Sequence, residues 1–118
     1  MRFVYPYQID AASRYMDSLP RDTHVYFWSS RWRFDYETRR LIAPDVRGED
    51  RSLEFRESAP PEAPLDFHAD RPDGIAFVFL DPYLDEVGQA IDLYPGGQLT
   101  ESTRGDETLF RAYYVPKQ

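Results

Sequence analysis

The chain has 118 residues, which is enough for one domain that buries roughly two-thirds of its unfolded surface. Its formal net charge of −7 argues against nucleic acid and anionic lipid as main partners, because both require a cationic surface. The chain lacks cysteine, which excludes disulfides and thiolate chemistry, and no apolar run is long enough to span a membrane.

The N-terminal part of the chain predicts a helix followed by a strand. One helical stripe of apolar residues consists of Ile9, Ala12, Met16 and Leu19. Pro20 ends that helix. Residues 24–28 (HVYFW) are rich in aromatic and β-branched side chains, and they predict the first strand.

A second helix is expected over residues 34–42, where apolar positions recur at helical spacing. Asp35 and Arg39 are spaced to form an ion pair on its outer side. The chain's basic residues are concentrated here, as Arg31, Arg33, Arg39 and Arg40. This concentration is either a patch that faces phosphate or lipid headgroups, or a helix face paired with Asp35 and Glu37.

Residues 45–51 (DVRGEDR) are charged and predict a turn, and residues 52–55 predict a short strand. The carboxylates Asp45, Glu49 and Asp50 do not match a calcium-binding loop, and the neighbouring arginines would neutralise them, so no metal site is expected. Residues 57–74 hold four of the ten prolines and predict a long surface loop within a single domain spanning residues 1–118.

Residues 75–97 predict a strand that leads into a helix. Residues 75–80 are all apolar, which is typical of a strand buried on both faces. Asp81 and Pro82 form a helix start signal, with Asp81 as the cap and Pro82 in the first turn. Gly96 and Gly97 end that helix. They are not a phosphate-binding loop, because such loops precede a helix.

Residues 98–103 and 108–115 predict two strands joined by a turn, so the chain ends in an antiparallel β-hairpin. The alternation of helices and strands before it is typical of a sheet with a parallel centre. The predicted fold is therefore α/β: a small three-layer sandwich whose mixed sheet has a parallel centre and a C-terminal antiparallel hairpin.

One candidate ligand site follows from this topology, because ligands of open α/β sheets lie beyond the carboxyl ends of the strands. We name it the carboxyl-end rim, and it consists of Ser30, Arg31, Trp32, Tyr36, Asp81 and Tyr83. An indole can stack on a sugar, and guanidinium or carboxylate groups can bind hydroxyls or phosphate. The structural alternative is that Ser29 or Ser30 and Asp81 cap helices and that Trp32 packs in the core.

Three segments resemble the soluble tail of bacterial polytopic membrane glycosyltransferases of the dolichyl-phosphate-mannose protein mannosyltransferase type. They are LPRDTHVYFWSSRWRFDYETRRLIAPDVRGEDRS, FVFLDPYLDEVGQAIDLYPGG and LFRAYYVP. The resemblance implies a small α/β domain on the extracytoplasmic side, attached to a membrane part that performs lipid-linked sugar transfer. It also implies that the catalytic acidic residues lie in that membrane part, so none is assigned to this chain.

The first functional hypothesis is thus a non-catalytic accessory domain of a membrane-bound glycosyltransferase, which contacts a glycan or the acceptor substrate and requires no cofactor. Its partners would be that substrate and the membrane part of the same polypeptide. The alternative is a regulatory α/β module that binds a nucleotide or phosphosugar. A third reading is an autonomous hydrolase or transferase that uses the carboxylates of residues 45–50, but no known catalytic motif occurs in the sequence.

Overall fold

The computed structural model describes residues 7–52, 64–69 and 73–117. Its three helices are α1 (Tyr7–Asp17), α2 (Glu37–Ile42) and α3 (Val87–Leu93). Its five strands are β1 (His24–Trp28), β2 (Arg47–Asp50), β3 (Ile75–Phe79), β4 (Gln98–Arg104) and β5 (Glu107–Val115). None of the helices in the described ranges is long and apolar enough to cross a membrane.

The strands form one mixed sheet in the order β2-β1-β3-β5-β4. Strand β1 lies between β2 and β3 and pairs in parallel with both, while β5 pairs antiparallel with β3 and β4. The β4–β5 hairpin turns at Gly105, whose φ of +61° lies in the left-handed region that glycine adopts without a steric penalty. The predicted α/β fold, with its parallel centre and C-terminal hairpin, is confirmed.

Alternate residues of each strand point to opposite faces of the sheet, and each face carries its own apolar cluster. Helix α1 covers one face with Ile9, Ala12 and Met16, which belong to the same cluster as Val25 and Val78. The other face is covered by α3 together with residues 64–69. All five residues of β3 are buried, which confirms the predicted strand with two buried faces.

The segment that follows α2 differs from the prediction. Residues 45–51 were expected to be a turn, but Arg47–Asp50 form the edge strand β2, which is paired with β1 from His24 to Phe27. Pairing with β1 outweighs the turn-like composition, and the edge position lets alternate charged side chains remain exposed. Of the strand predicted at residues 52–55, Ser52 lies outside any strand and residues 53–55 lie outside the described part of the chain.

Helix α2 is shorter than predicted, because the chain before Glu37 is held by tertiary hydrogen bonds. The backbone N–H of Phe34 donates to both carboxylate oxygens of Asp50, at 2.8 and 3.0 Å. The expected ion pair between Asp35 and Arg39 is replaced by another arrangement. Arg39 is buried, and its guanidinium donates to the carbonyls of Phe34 and Ala43, at 2.7 and 3.1 Å.

Helix α3 starts later than the Asp81–Pro82 signal predicted. A 3-10 turn, Leu84–Glu86, comes first, and its cap position is Tyr83 without a side-chain cap bond. The N–H of Tyr83 donates to the carbonyl of Leu80 at 2.7 Å, so the chain turns once before the helix begins. The prediction of Asp81 as the cap is therefore wrong. The predicted stop is close to the observed one, since α3 ends at Leu93 and Gly96 has a φ of +94°.

Candidate functional site

The ends of β1 and β3 are adjacent, as the predicted carboxyl-end rim requires. The two strands run in parallel, and the N–H of Leu80 donates to the carbonyl of Trp28 at 2.9 Å. The loops that follow them therefore leave the sheet at the same edge.

The sheet nevertheless separates Trp32 and Tyr83, two of the three aromatic members of the rim. Trp32 is only 7% exposed and belongs to the apolar cluster on the α1 face. Tyr83 is only 6% exposed and belongs to the cluster on the α3 face. These rings contribute to the core and offer little surface to a ligand.

The polar members of the rim remain at the surface. Ser30, Arg31 and Asp81 are exposed, and Tyr36 is partly exposed at the residue that precedes α2. The guanidinium of Arg31 lies 5.0 Å from the centre of the Trp32 ring, so it covers the buried indole. The structure thus brings polar groups to the predicted edge without a shared aromatic surface, and ligand binding by the rim stays a prediction.

Ser29 organises the start of the first of these loops. Its hydroxyl oxygen accepts the backbone N–H groups of Arg31 and Trp32, both at 3.1 Å. Its own N–H donates to the Ser52 hydroxyl at 2.7 Å. These bonds make Ser29 the cap of a turn, and they direct Trp32 back into the core.

A polar cleft that the sequence did not reveal lies at the β1–β2 end of the α3 face. We call it the β1–β2 cleft; its volume is about 240 Å³, and it is lined by His24, Tyr26, Glu49, Arg51, His68 and Asp73. Two neighbouring strands, the residue after β2, the covering segment 64–69 and the residues before β3 all contribute. Glu49 faces the cleft beside Tyr26 because these residues are partners in the β1–β2 register.

Arg51 is the central side chain of the β1–β2 cleft. Its guanidinium stacks over Tyr26, 4.4 Å from the ring centre, and its Nε donates to Glu49 at 2.9 Å. One terminal nitrogen donates to the carbonyls of Asp66 and His68, both at 3.0 Å, and also lies 3.2 Å from the Asp66 carboxylate. Arg51 therefore fixes residues 64–69 against the sheet and sets one wall of the cleft.

The contacts of Glu49 with Arg51 and His24 determine the pKa of its carboxylate. Burial alone would raise its pKa, but hydrogen bonds from Arg51 and from His24, whose Nε2 lies 3.2 Å from Glu49 Oε1, outweigh burial. The pKa of Glu49 is consequently lower than usual, and the group is ionised at neutral pH. The cleft thus presents a fixed negative charge beside a histidine.

The lining of the β1–β2 cleft consists mainly of side chains that form hydrogen bonds. A His–carboxylate pair can act as a general acid or base, but the six lining residues include no serine, threonine or cysteine nucleophile. No group of three or more potential ligands in the described residues could hold a metal ion. Carboxylates, imidazoles and a guanidinium instead form a hydrogen-bonding surface of mixed donors and acceptors.

One pattern in the sequence could have indicated the strand that carries Glu49, although not the cleft itself. Arg47, Glu49 and Arg51 alternate with Gly48 and Asp50, which is the period of a strand. Because residues 45–51 are mostly charged, they were predicted to form a turn, and the strand period was overlooked.

Comparisons with known proteins do not assign the chain to a family: no family model, no curated protein and no solved structure matches it.

Proposed function

We propose that this chain is a non-catalytic, glycan-contacting accessory domain and that the β1–β2 cleft is its contact site. The observation that carries the proposal is the convergence of polar side chains from five segments on a single cleft. Sugars present several hydroxyls, each both donor and acceptor, and such a mixed lining can match them.

The size of the cleft favours a small unit. Its volume of about 240 Å³ lies below the ~300–1,000 Å³ of pockets for drug-sized ligands. A single sugar residue, or the end of a longer glycan, suits such a space. The exposed imidazole of His68 adds a ring on which an apolar sugar face can stack.

The charge of the cleft favours a neutral sugar over the alternative of a nucleotide or phosphosugar. Arg51 is the cation that would attract a phosphate, but it already pairs with Glu49 and Asp66. Asp73 adds a further carboxylate to the lining. A phosphate entering here would meet an excess of negative charge, at a cost that water only partly screens.

The wider setting of the domain follows from its sequence resemblance. On this proposal the chain lies on the extracytoplasmic side of a membrane, as part of a larger glycosyltransferase whose membrane part performs the transfer. The three resembling segments support this placement. The reading frame upstream of Met1 tests it: a run of hydrophobic spans in frame is the expected result, and a frame that encodes another class of protein would contradict it.

Sugar binding is tested by ligand-observed NMR and calorimetry, with a panel of neutral monosaccharides and disaccharides and their phosphorylated forms. Glu49→Gln keeps the shape of the side chain but removes its charge, and it should weaken the affinity for the best sugar about tenfold, as expected for a hydrogen bond to a charged group. Glu101→Gln is a matched control. Glu101 also pairs with an arginine and is 46% exposed, compared with 48% for Glu49.

The outcomes of this experiment separate the candidate sites and functions. Loss of affinity in Glu49→Gln with normal affinity in Glu101→Gln supports the cleft. If Arg31→Ala lowers the affinity and Glu49→Gln does not, binding occurs at the carboxyl-end rim. Preference for the phosphorylated forms favours the nucleotide or phosphosugar module. If no sugar of the panel binds, the glycan-contacting role is wrong.

A further inference from the structure

Helix α2 carries an exposed surface in which an apolar side chain lies beside an arginine. Leu41 is 83% exposed, the most exposed large apolar side chain in the described residues. It lines a shallow groove of about 730 Å³ with Glu37, Arg40 and Pro44. The N–H of Arg40 donates to the Tyr36 carbonyl at 3.1 Å, so these two residues lie one helical turn apart. We call Tyr36, Arg40 and Leu41 the α2 patch.

Hydrogen bonds hold the helix that carries the α2 patch firmly against the domain. The buried guanidinium of Arg39 donates to carbonyls on both sides of the short helix, so its inner face is fixed to the domain. Leu41 and Arg40 therefore point away from the core. Arg40 forms no ion pair within the described part of the chain, which leaves its charge available.

Charge is distributed unevenly around this patch. Residues 31–42 contain four of the 14 basic residues but only two of the 21 acidic ones. Because Arg39 is buried, the exposed residues of this stretch carry a net charge of +1. The remainder of the chain carries −9. An anionic surface is therefore repelled by most of the domain and attracted by this region.

We propose that the α2 patch docks on the surface of an anionic phospholipid bilayer. Leu41 enters the boundary between headgroups and acyl chains, Tyr36 lies at the headgroup level, and Arg40 pairs with lipid phosphate. The acidic remainder of the domain is held away from the membrane, so the contact is weak and fixes the domain's orientation. This inference does not depend on the sugar-binding role of the β1–β2 cleft.

Vesicle flotation at low ionic strength tests the proposal, with phosphatidylcholine vesicles that contain or lack phosphatidylglycerol. Binding should require phosphatidylglycerol and decrease with added salt. Leu41→Ser should reduce partitioning about tenfold, as the loss of one inserted leucine predicts. Arg40→Gln should reduce it about fivefold. Leu93→Ser is the matched control, because Leu93 is 59% exposed but lies on α3, next to Asp92.

Three results would overturn the proposal. The first is no flotation with phosphatidylglycerol vesicles at low ionic strength. The second is an equal loss in Leu41→Ser and Leu93→Ser, which would indicate nonspecific apolar adsorption. The third is concentration-dependent self-association by light scattering that Leu41→Ser abolishes, since the patch would then be an interface between copies of the chain. Thermal unfolding of each variant verifies that its fold is intact.

Discussion

Substituting Gly48 by alanine should disrupt the edge of the sheet, because the position has no room for a methyl group. A Cβ at residue 48 would lie 2.5 Å from the carbonyl oxygen of Val25 and 2.8–2.9 Å from two atoms of the Phe34 ring. The Val25 carbonyl belongs to the backbone of β1 and cannot rotate away. The Phe34 ring is buried, with the Arg39 guanidinium 4.2 Å from its centre on the α2 side.

The expected loss of stability in Gly48→Ala follows from overpacking. Forcing an additional carbon into a well-packed site typically costs about 1–3 kcal/mol. Alanine recovers about 0.4–1 kcal/mol by restricting the unfolded chain, so the net loss should be about 1–2 kcal/mol. A domain of this size should then melt roughly 4–8 °C lower.

Gly88→Ala is the matched control, because it makes the same chemical change where space is available. Gly88 lies inside α3, and a Cβ there would meet nothing within 4 Å. Alanine should stabilise the helix by about 0.5–1 kcal/mol. Urea unfolding and calorimetry of both variants should therefore give opposite signs. If Gly48→Ala is as stable as the parent chain, β2 is not packed against Phe34 as described.

Three further substitutions test buried polar groups. Burial raises the pKa of Tyr15 to about 12 from its usual 10.0, and this effect outweighs the opposing interaction with Thr100. The contribution of Tyr15 to the free energy of unfolding is therefore complete below pH 10 and is lost as the pH rises through 12. Tyr15→Phe should abolish this alkaline loss, on the order of 3 kcal/mol, in urea titrations at rising pH. Burial also raises the pKa of Asp50 above its usual 3.8. The contribution of Asp50 to the free energy of unfolding is therefore largest below pH 3.8, and it is lost as the pH rises through the folded-state pKa. Asp50→Asn should flatten the pH dependence of the free energy of unfolding in this range. If that pH dependence is unchanged, the raised pKa of Asp50 is wrong. Arg39→Met should cost about 2–4 kcal/mol by leaving buried carbonyls without donors, whereas Arg40→Met, at an exposed position, should change the free energy of unfolding by less than about 0.5 kcal/mol.

The sequence predicted those elements whose local pattern agrees with their tertiary environment. The apolar run of residues 75–80 predicted a strand with two buried faces, and β3 is such a strand. The helical stripe that includes Ile9 and Met16 predicted α1, whose buried face contains both residues. In both elements the apolar residues occupy the positions that the tertiary structure buries, so their spacing alone was sufficient to predict the element.

The prediction from composition was wrong where pairing between strands determines the structure. The charged residues 45–51 resemble a turn, but β1 offers a free edge, and β2 forms there with charged side chains at the surface. Trp32 and Tyr83 follow adjacent strand ends in the sequence-based topology, which suggested a shared surface. Their burial on opposite faces depends on the rotation of each loop, which the Ser29 hydrogen bonds and the Leu80–Tyr83 turn determine.

The sequence by itself determined the class of this fold: its α/β alternation, its central apolar strand and its C-terminal hairpin all follow from local periods and turn residues. Only the tertiary structure decided where chemistry can occur. The β1–β2 cleft joins residues from His24 to Asp73 through a strand pairing and an Arg51 clamp, and neither is a local property. Periodicity records which side of an element is buried, whereas a site depends on which elements become neighbours.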